Sequence, residues 1–220
     1  MEQLTDKELE ALSRPHLNCV LLVDTSAFMA GEPIEAVNKA LSRFQREVLL
    51  SKEISEQMTI DVALITFDSV IRSVLPFMPA GQLRTPEFSA GGESVLGAAV
   101  SLAIDKLMER RRFHHGMGDV VLSPCIFLIS RGEPTDDIID AVNHLREKRF
   151  EFWSLTPPGA NMSILRLFSQ NIVRLEDDFS CITNKLWHIW DCFMDRAVVS
   201  DLHSDTALQQ AIELPTNIIW

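Results

Sequence analysis

The segment Cys19-Val20-Leu21-Leu22-Val23-Asp24-Thr25-Ser26-Ala27-Phe28-Met29 decides how the chain folds. Its apolar first half is typical of a strand buried on both faces of a sheet, and Asp24 marks where that strand emerges. In an open α/β sheet, ligands bind at the carboxyl ends of the strands. Side chains two residues apart point the same way from an extended chain, so Asp24 and Ser26 present two oxygen atoms as a hard-cation site requires. Phe28 occupies the place of a third oxygen in this series.

Length and charge limit the classes of function. The 220 residues suit one α/β domain with one core, which we assign to residues 17–199. We predict an N-terminal extension at residues 1–16 and a C-terminal tail at residues 200–220. The net charge of −11 disfavours nucleic-acid binding, which requires a basic face. The first residues lack a signal-peptide pattern and no apolar run is long enough for a membrane span, so we expect a cytoplasmic protein without a membrane partner.

The cysteines do not have the spacing of a zinc site or of a redox pair. They are Cys19, Cys125, Cys181 and Cys192. Cys19 and Cys125 fall in predicted core strands, where a reduced cysteine behaves as a small apolar residue. We therefore predict buried free thiols in a reducing compartment.

Strand and helix patterns alternate along the chain, which predicts a mostly parallel sheet with helices on both faces. Strands are predicted at residues 17–24, 59–67, 120–130, 150–155 and 171–175. Residues 70–75 are predicted to pair antiparallel as an edge strand, followed by a loop over residues 76–92. Helices are predicted to begin near residues 33, 94 and 134, and to cover residues 164–168 and 179–199.

Three separated segments carry a resemblance to a known family. They are residues 22–38 with Asp24-Thr25-Ser26, residues 90–99 with Gly91-Gly92-Glu93-Ser94, and residues 127–136 with Ser130-Arg131-Gly132-Glu133-Pro134. In order and context they resemble von Willebrand factor A domains, and more narrowly the bacterial tellurite-resistance-type members. The resemblance covers residues 17–195. It implies a three-layer Rossmann-like fold whose metal-ion-dependent adhesion site holds a magnesium-like ion that accepts a carboxylate from a partner protein.

Position by position, the resemblance implies a degenerate adhesion site. Asp24 and Ser26 match the first two ligands, and Ser94 keeps the hydroxyl of the family's threonine. Phe28 stands where the second serine belongs, and Arg131 stands where the second aspartate belongs.

The arginine has the larger consequence for metal binding. A guanidinium about 5 Å from a divalent ion repels it by roughly 5–7 kcal/mol at an effective dielectric constant of about 20. This exceeds the roughly 4 kcal/mol with which a millimolar site binds its ion. This repulsion applies if Arg131 points inward and largely disappears if it points into solvent. In either orientation the site lacks one charge and one oxygen, so we expect no tightly bound magnesium.

The sequence leaves alternative roles open around this site. Arg131 either pairs with Asp24 in place of the ion and anchors an acidic side chain of a partner, or is a loop residue without a binding role. Glu93 is either solvated or supplies a compensating carboxylate. In the latter case Asp24, Ser26 and Ser94 belong to a functioning adhesion domain that uses Mg²⁺ or Mn²⁺.

Polar motifs elsewhere are interpreted as structural. Glu133, Asp136 and Asp137 are typical of a helix start. The histidines of His114-His115 lack a third ligand, so we predict an exposed loop after a helix that ends in Arg110-Arg111-Arg112. Phosphate-loop, dinucleotide and nucleophile-elbow patterns are missing, so we do not expect an enzyme.

The C-terminal part offers two aromatic or apolar surfaces. Trp187, Trp190 and Phe193 recur at a spacing of three along a predicted helix and face either the sheet or a partner. The apolar segment 214–220 either folds back on the domain or docks on a partner.

These patterns predict a non-enzymatic protein–protein interaction module without a cofactor. The resemblance to tellurite-resistance-type domains implies a bacterial stress or tellurium-resistance system in which the partners are phosphatase- or kinase-like proteins. The alternative function is adhesion to a partner carboxylate through Mg²⁺ or Mn²⁺.

Overall fold

The structure is a computed structural model that describes residues 14–50, 58–148 and 150–174, without the side chains of residues 40 and 43–50. The strands in these residues are β1 His16–Asp24, β2 Thr59–Phe67, β3 Ile71–Pro79, β4 Cys125–Ile129, β5 Glu151–Thr156 and β6 Ile172–Arg174. The α-helices are α1 Glu32–Leu50, α2 Leu96–Met117, α3 Ile139–Lys148 and α4 Met162–Phe168. Short 3-10 helices cover Ala27–Met29 and Ala80–Gln82.

The strands form one sheet in the order β3-β2-β1-β4-β5-β6. All neighbouring pairs are parallel except β2 and β3, which pair antiparallel. This confirms the predicted fold class, a mostly parallel α/β sheet with one antiparallel edge strand. The chain first adds strands on one side of β1 and then on the other, so the strand order reverses between β1 and β4. Open α/β sheets bind their ligands at the carboxyl ends of strands at such a point.

The core forms where the apolar patterns of sheet and helix meet. Every residue of β1 after His16 is buried, as expected of a central strand. The inward face of α2 consists of Leu96, Val100, Ala103 and Leu107, which are fully buried as their spacing predicted. Burial of one leucine or valine side chain contributes about 1.5–3 kcal/mol, so this face holds α2 firmly on the sheet.

The predicted core cysteines are confirmed within the described residues. Cys19 in β1 and Cys125 in β4 are neighbours across the parallel pair and both are buried free thiols. Burial raises the pKa of both thiols well above the usual range. Both side chains therefore behave as small apolar core residues.

Two predicted strand boundaries were wrong. The edge strand β3 continues to Pro79 instead of ending at residue 75. Proline lacks an N–H, but an edge strand leaves one side of its backbone unpaired and tolerates it. The strand predicted at residues 120–130 is shorter, because β4 covers only Cys125–Ile129. Val121 pairs with His16 in an isolated bridge, and Val120 is exposed.

The predicted exposed loop at His114-His115 was also wrong for His114. Helix α2 continues past the arginines to Met117, and only 2% of the His114 surface is exposed. His114 lies seven residues after Leu107, which places both side chains on the buried face of the helix. His115 is exposed, as predicted.

Several predictions lie outside the described residues. They concern the N-terminal extension up to residue 13, the helix predicted at residues 179–199 with Trp187, Trp190 and Phe193, the tail at residues 200–220, and the thiols of Cys181 and Cys192. Among the described helices, none is both long and apolar enough to cross a lipid bilayer.

Candidate functional site

The candidate site lies at the carboxyl ends of β1 and β4. Asp24, the last residue of β1, is fully buried there. Backbone hydrogen bonds join the loop that precedes α2 to the end of β1. Gly91 N donates to Thr25 O at 2.8 Å, and Ala27 N donates to Gly92 O at 3.0 Å. This pairing brings the loop that carries Ser94 to the end of β1.

The Asp24 carboxylate is held by hydrogen bonds from three residues. Its Oδ1 accepts the backbone N–H of Ser26 at 2.8 Å. Its Oδ2 accepts the hydroxyl of Ser94 at 3.3 Å and the hydroxyl of Ser130 at 2.6 Å. Burial raises the pKa of the Asp24 carboxyl, and the hydrogen bonds from Ser130, Ser26 and Ser94 oppose this rise only in part. A buried carboxylate without a paired cation favours its protonated form in this way.

Ser130 is the site residue that the sequence reasoning missed. It follows β4 directly, and its hydroxyl both donates to Asp24 and accepts the N–H of Gly132 at 2.9 Å. The sequence directed attention to Arg131, one residue later. The parallel pairing of β1 with β4 would have identified Ser130, because it places the ends of these strands side by side.

Ser26 carries a further unusual feature. Its hydroxyl is buried, yet among the described residues it has no well-oriented hydrogen-bond partner. Only the Ser26 backbone N–H contacts Asp24 with good geometry. A buried hydroxyl without a hydrogen bond costs free energy. We expect it to form a hydrogen bond with, or coordinate to, a ligand that binds nearby.

The predicted ion pair between Arg131 and Asp24 is wrong. Arg131 Nη1 donates to the carbonyl oxygen of Phe28 at 3.3 Å, and Nη2 donates to the carbonyl oxygen of Pro158 at 3.2 Å. Successive side chains of an extended segment point to opposite sides, so the inward Ser130 directs Arg131 away from the carboxylate. The serine hydroxyls and the Ser26 N–H already satisfy the Asp24 oxygens.

Phe28 lies at the surface and not in the place of an oxygen ligand. Its side chain is 41% exposed, whereas Met29 beside it is fully buried. The guanidinium of Arg131 joins the backbone of Phe28 to the loop after β5.

Most of the sheet and the candidate site lie in a region that matches a known protein family. A profile of the von Willebrand factor type A domain matches residues 18–169, which is more than half of the chain. This protein is a member of the von Willebrand factor type A family. The matched region runs from within β1 to the end of α4 and contains all five predicted site residues, Asp24, Ser26, Phe28, Ser94 and Arg131. No curated protein shows significant similarity in sequence to the chain.

Solved structures of this von Willebrand factor type A fold are similar in architecture but distant in sequence. BatB, a conserved hypothetical protein from Bacteroides thetaiotaomicron, has a TM-score of 0.52 and 14% identity over 80% of this chain and 98% of its own. The ArnB paralog VWA2 from Sulfolobus acidocaldarius has a TM-score of 0.50 and 17% identity, over 78% of this chain but 44% of its own. Proximal thread matrix protein 1 from the mussel byssus has a TM-score of 0.52 and 13% identity, over 78% of this chain and 44% of its own. At these identities the likeness shows the fold alone.

The acidic residues around the von Willebrand factor type A site have separate roles. Asp137 Oδ1 accepts the N–H of Ile139 at 2.8 Å, so Asp137 lies at the start of α3 as predicted. The predicted start of this helix near residue 134 was wrong, because α3 begins at Ile139. Asp136 instead serves α2, because its carboxylate accepts the N–H groups of Gly97 at 3.0 Å and Ala98 at 2.8 Å. Glu93 is exposed, and the described contacts do not join its carboxylate to Asp24.

Proposed function

We propose that this von Willebrand factor type A domain is a non-enzymatic interaction module that binds another protein without a bound metal ion. The observation that carries the proposal is the position of Arg131. It stands where the family's second aspartate belongs, and its guanidinium donates to the backbone carbonyls of Phe28 and Pro158, while the side chain of Phe28 is exposed. A cation at this place attracts a partner carboxylate, which is the group that the metal ion attracts in a complete adhesion site.

The donor set supports a metal-free site. Magnesium prefers octahedral oxygen coordination, usually with one or two carboxylates and several retained waters. Asp24 is the one carboxylate that the described contacts place at the centre of the site, and it is fully buried under the hydroxyls of Ser94 and Ser130. A divalent ion would have to displace these hydrogen bonds and would receive a single full negative charge. These residues are therefore a poor fit for magnesium.

Arg131 retains capacity to bind a carboxylate. A guanidinium has five N–H donors, and the described hydrogen bonds use one on Nη1 and one on Nη2. Bidentate pairing of arginine with a carboxylate gives both energy and orientation. The apolar ring of Phe28 adds the kind of aromatic contact that is enriched at the centre of protein interfaces.

A capture experiment tests this proposal. Immobilised wild-type chain should retain a specific set of proteins from an extract of its native cells equally well in Mg²⁺ and in chelator. Arg131→Ala should lose these proteins, because the cationic donors are gone. Arg112→Ala is the matched control, since Arg112 is exposed near the carboxyl end of α2, and it should capture the same proteins as the wild type. Equal capture by Arg131→Ala, measured by quantitative mass spectrometry, would refute the anchor.

The second candidate function is a working Mg²⁺- or Mn²⁺-dependent adhesion domain. The unpartnered buried hydroxyl of Ser26 favours it, because a ligand atom of this kind is satisfied by a bound ion. On our proposal, titration calorimetry with MgCl₂ or MnCl₂ should show no binding tighter than millimolar. Micromolar binding that is lost in Ser26→Ala, together with chelator-sensitive capture, would establish the alternative.

The wider context of the proposal rests on the resemblance to bacterial tellurite-resistance-type domains. We assign the chain to a cytoplasmic stress or tellurium-resistance system, with phosphatase- or kinase-like proteins as its partners. The proteins captured by wild type and lost in Arg131→Ala, together with the genes that flank this one, test that assignment.

A further inference from the structure

A second cluster of polar side chains lies at the opposite end of the sheet, where strands β1 and β2 begin. His16 Nδ1 is 3.1 Å from Asp61 Oδ2, and His114 Nε2 is 3.4 Å from the same oxygen. These three ligand atoms all lie within 4.8 Å of one another. We call His16, Asp61 and His114 the His–Asp–His cluster. It is separate from the candidate site at the other end of β1, because the eight residue steps from His16 to Asp24 span about 26 Å of extended strand.

The fold positions each member on a rigid element. His16 begins β1, and its backbone N–H donates to Val120 O at 2.8 Å while its carbonyl accepts the N–H of Leu122 at 2.9 Å. Asp61 lies in β2, two residues beyond Thr59, the register partner of His16, and therefore on the same face of the sheet. His114 arrives from the carboxyl end of α2, and its ring is 4.2 Å from the ring of His16.

His114 has the hydrogen bonding of a metal-binding histidine. Its Nδ1 lies 2.8 Å from Asp119 Oδ2, and a carboxylate is an acceptor, so Nδ1 carries the proton. The loop is fixed by a Schellman turn in which Gly118 N donates to His115 O and Asp119 N donates to His114 O. In a neutral ring, Nε2 then has a lone pair directed at the cluster. A second-shell carboxylate that fixes the imidazole in this way is typical of metal sites.

The Nε2 atom of His114 lacks a satisfactory partner. It is buried and makes no hydrogen bond in the described structure, although it is 3.4 Å from Asp61 Oδ2. A neutral nitrogen lone pair and a carboxylate oxygen repel at this distance unless a cation lies between them. A second proton on His114 or a metal ion would lie between the two atoms, whereas the guanidinium of Arg110 contacts only the Asp61 oxygen.

We propose that the His–Asp–His cluster binds a divalent transition metal, with Zn²⁺ as the ion that its chemistry fits best. Two imidazoles and one carboxylate form the ligand set of many zinc sites that keep an open fourth position. Zinc–ligand bonds of 2.0–2.2 Å give a tetrahedral edge of about 3.3–3.6 Å. The distances of 3.1 Å and 3.4 Å from Asp61 Oδ2 to the two ring nitrogens are close to this edge.

Two neighbours of the cluster are expected to respond to the metal. Arg110 Nη2 is 3.0 Å from Asp61 Oδ2 and competes with a cation for that oxygen. Arg110 is partly exposed, and its guanidinium is within about 6 Å of the rings of Phe77 and Phe113, so it can release the carboxylate and turn toward solvent. Asn18 is the register partner of Asp61, and its buried amide has no hydrogen-bond partner among the described residues. The amide oxygen can accept a hydrogen bond from a water molecule that is bound to the metal.

Titration of the full-length metal-free chain with ZnCl₂ tests the proposal. Calorimetry should show one saturable site in the wild type, and CoCl₂ should produce the visible absorption of tetrahedral cobalt. His16→Gln and Asp61→Asn should abolish both signals, with folding checked by circular dichroism. His115→Gln is the matched control on the same helix and should bind as the wild type does, because His115 is exposed.

Two further variants separate a metal site from a proton-only cluster. Asp119→Asn should weaken zinc binding by about 10- to 100-fold, as loss of an outer carboxylate does. Arg110→Gln should strengthen zinc binding, because it removes the competing cation. Absence of saturable zinc binding in both the wild type and Arg110→Gln would overturn the proposal and leave a proton as the bridging cation. Wild-type zinc affinity in His16→Gln would overturn it too, because the ion would then lie elsewhere.

Discussion

Replacement of Gly97 by alanine is expected to lower the free energy of unfolding by about 3 kcal/mol, because it forces a side chain into a closed contact. A Cβ at position 97 would overlap the carbonyl oxygen of Asp137 and would lie 3.0 Å from its carbonyl carbon. The obstacle is backbone, which cannot rotate away as a side chain can. The Asp136 carboxylate, bonded to the N–H groups of Gly97 and Ala98, holds this backbone on the start of α2.

Urea unfolding followed by circular dichroism measures this effect. Gly116→Ala is the matched control, because Gly116 lies in the same helix and a Cβ there meets nothing within 4 Å. Alanine in an open helical position should stabilise the chain by about 0.5–1 kcal/mol. The same substitution in one helix should therefore have opposite signs at the two positions. A Gly97→Ala variant as stable as the wild type would mean that residues 136–138 do not pack on α2 as the structure has them.

The contact at Gly97 also reaches the candidate site. Thr135 N donates to Ser94 O at 2.8 Å, and the Thr135 hydroxyl donates to the same carbonyl at 3.2 Å. Displacement of the segment around Asp137 therefore moves Ser94 away from Asp24. We expect Gly97→Ala to weaken partner capture in addition to stability.

The sheet could be predicted because its strands are defined by local composition. The first strand is apolar on both faces and ends in Asp24, so its extent could be predicted to within one residue. The helix that begins at Leu96 shows its buried face through spacings of three and four. The end of the edge strand could not be predicted, because proline is compatible with both a loop and an unpaired strand edge.

The candidate site was only partly predictable because its contacts depend on register and side-chain direction. Asp24, Ser26 and Ser94 were found from motifs, and Asp24 is bonded to both serines. The role of Ser130 and the outward direction of Arg131 depend on which side of β4 each residue faces, and the sequence did not reveal this.

The His–Asp–His cluster was beyond the reach of motif analysis. His16 and Asp61 are 45 residues apart in sequence, and they meet only because β1 and β2 pair in a particular register. His114 joins them only because the carboxyl end of helix α2 lies beside the beginning of these two strands. A local spacing pattern cannot contain this information, because each ligand comes from a different secondary-structure element.

Replacement of Asp24 by asparagine is expected to raise the free energy of unfolding at neutral pH. Asparagine keeps an oxygen for the N–H of Ser26, and its NH₂ can donate to the hydroxyls of Ser94 and Ser130. It removes a buried charge that the described contacts do not pair with a cation. The gain should be about 1.4 kcal/mol for each unit by which folding raises the pKa of Asp24.

The pH dependence of this gain has a definite sign. Burial raises the pKa of Asp24 in the folded chain above its value in the unfolded chain, which is about 3.9. The contribution of wild-type Asp24 to stability is therefore complete below the unfolded value and is lost as the pH rises through the folded value. Since asparagine does not titrate, the stability difference should be small at low pH and should grow across that window. Urea midpoints of both proteins between pH 3 and pH 8 measure it.

Asp68 provides the control with the opposite sign. Burial acts to raise its pKa, but the hydrogen bonds from Arg72 and Val70 and the charge of Arg72 outweigh this and lower it. Asp68→Asn should therefore destabilise the chain at neutral pH and lose its effect as the pH falls. If Asp24→Asn also destabilises at neutral pH, the serine hydrogen bonds or a cation hold the Asp24 charge more strongly than burial opposes it. Repetition of the measurement in chelator would then distinguish a bound Mg²⁺ or Mn²⁺ ion from a protein cation, because only the metal-dependent part disappears.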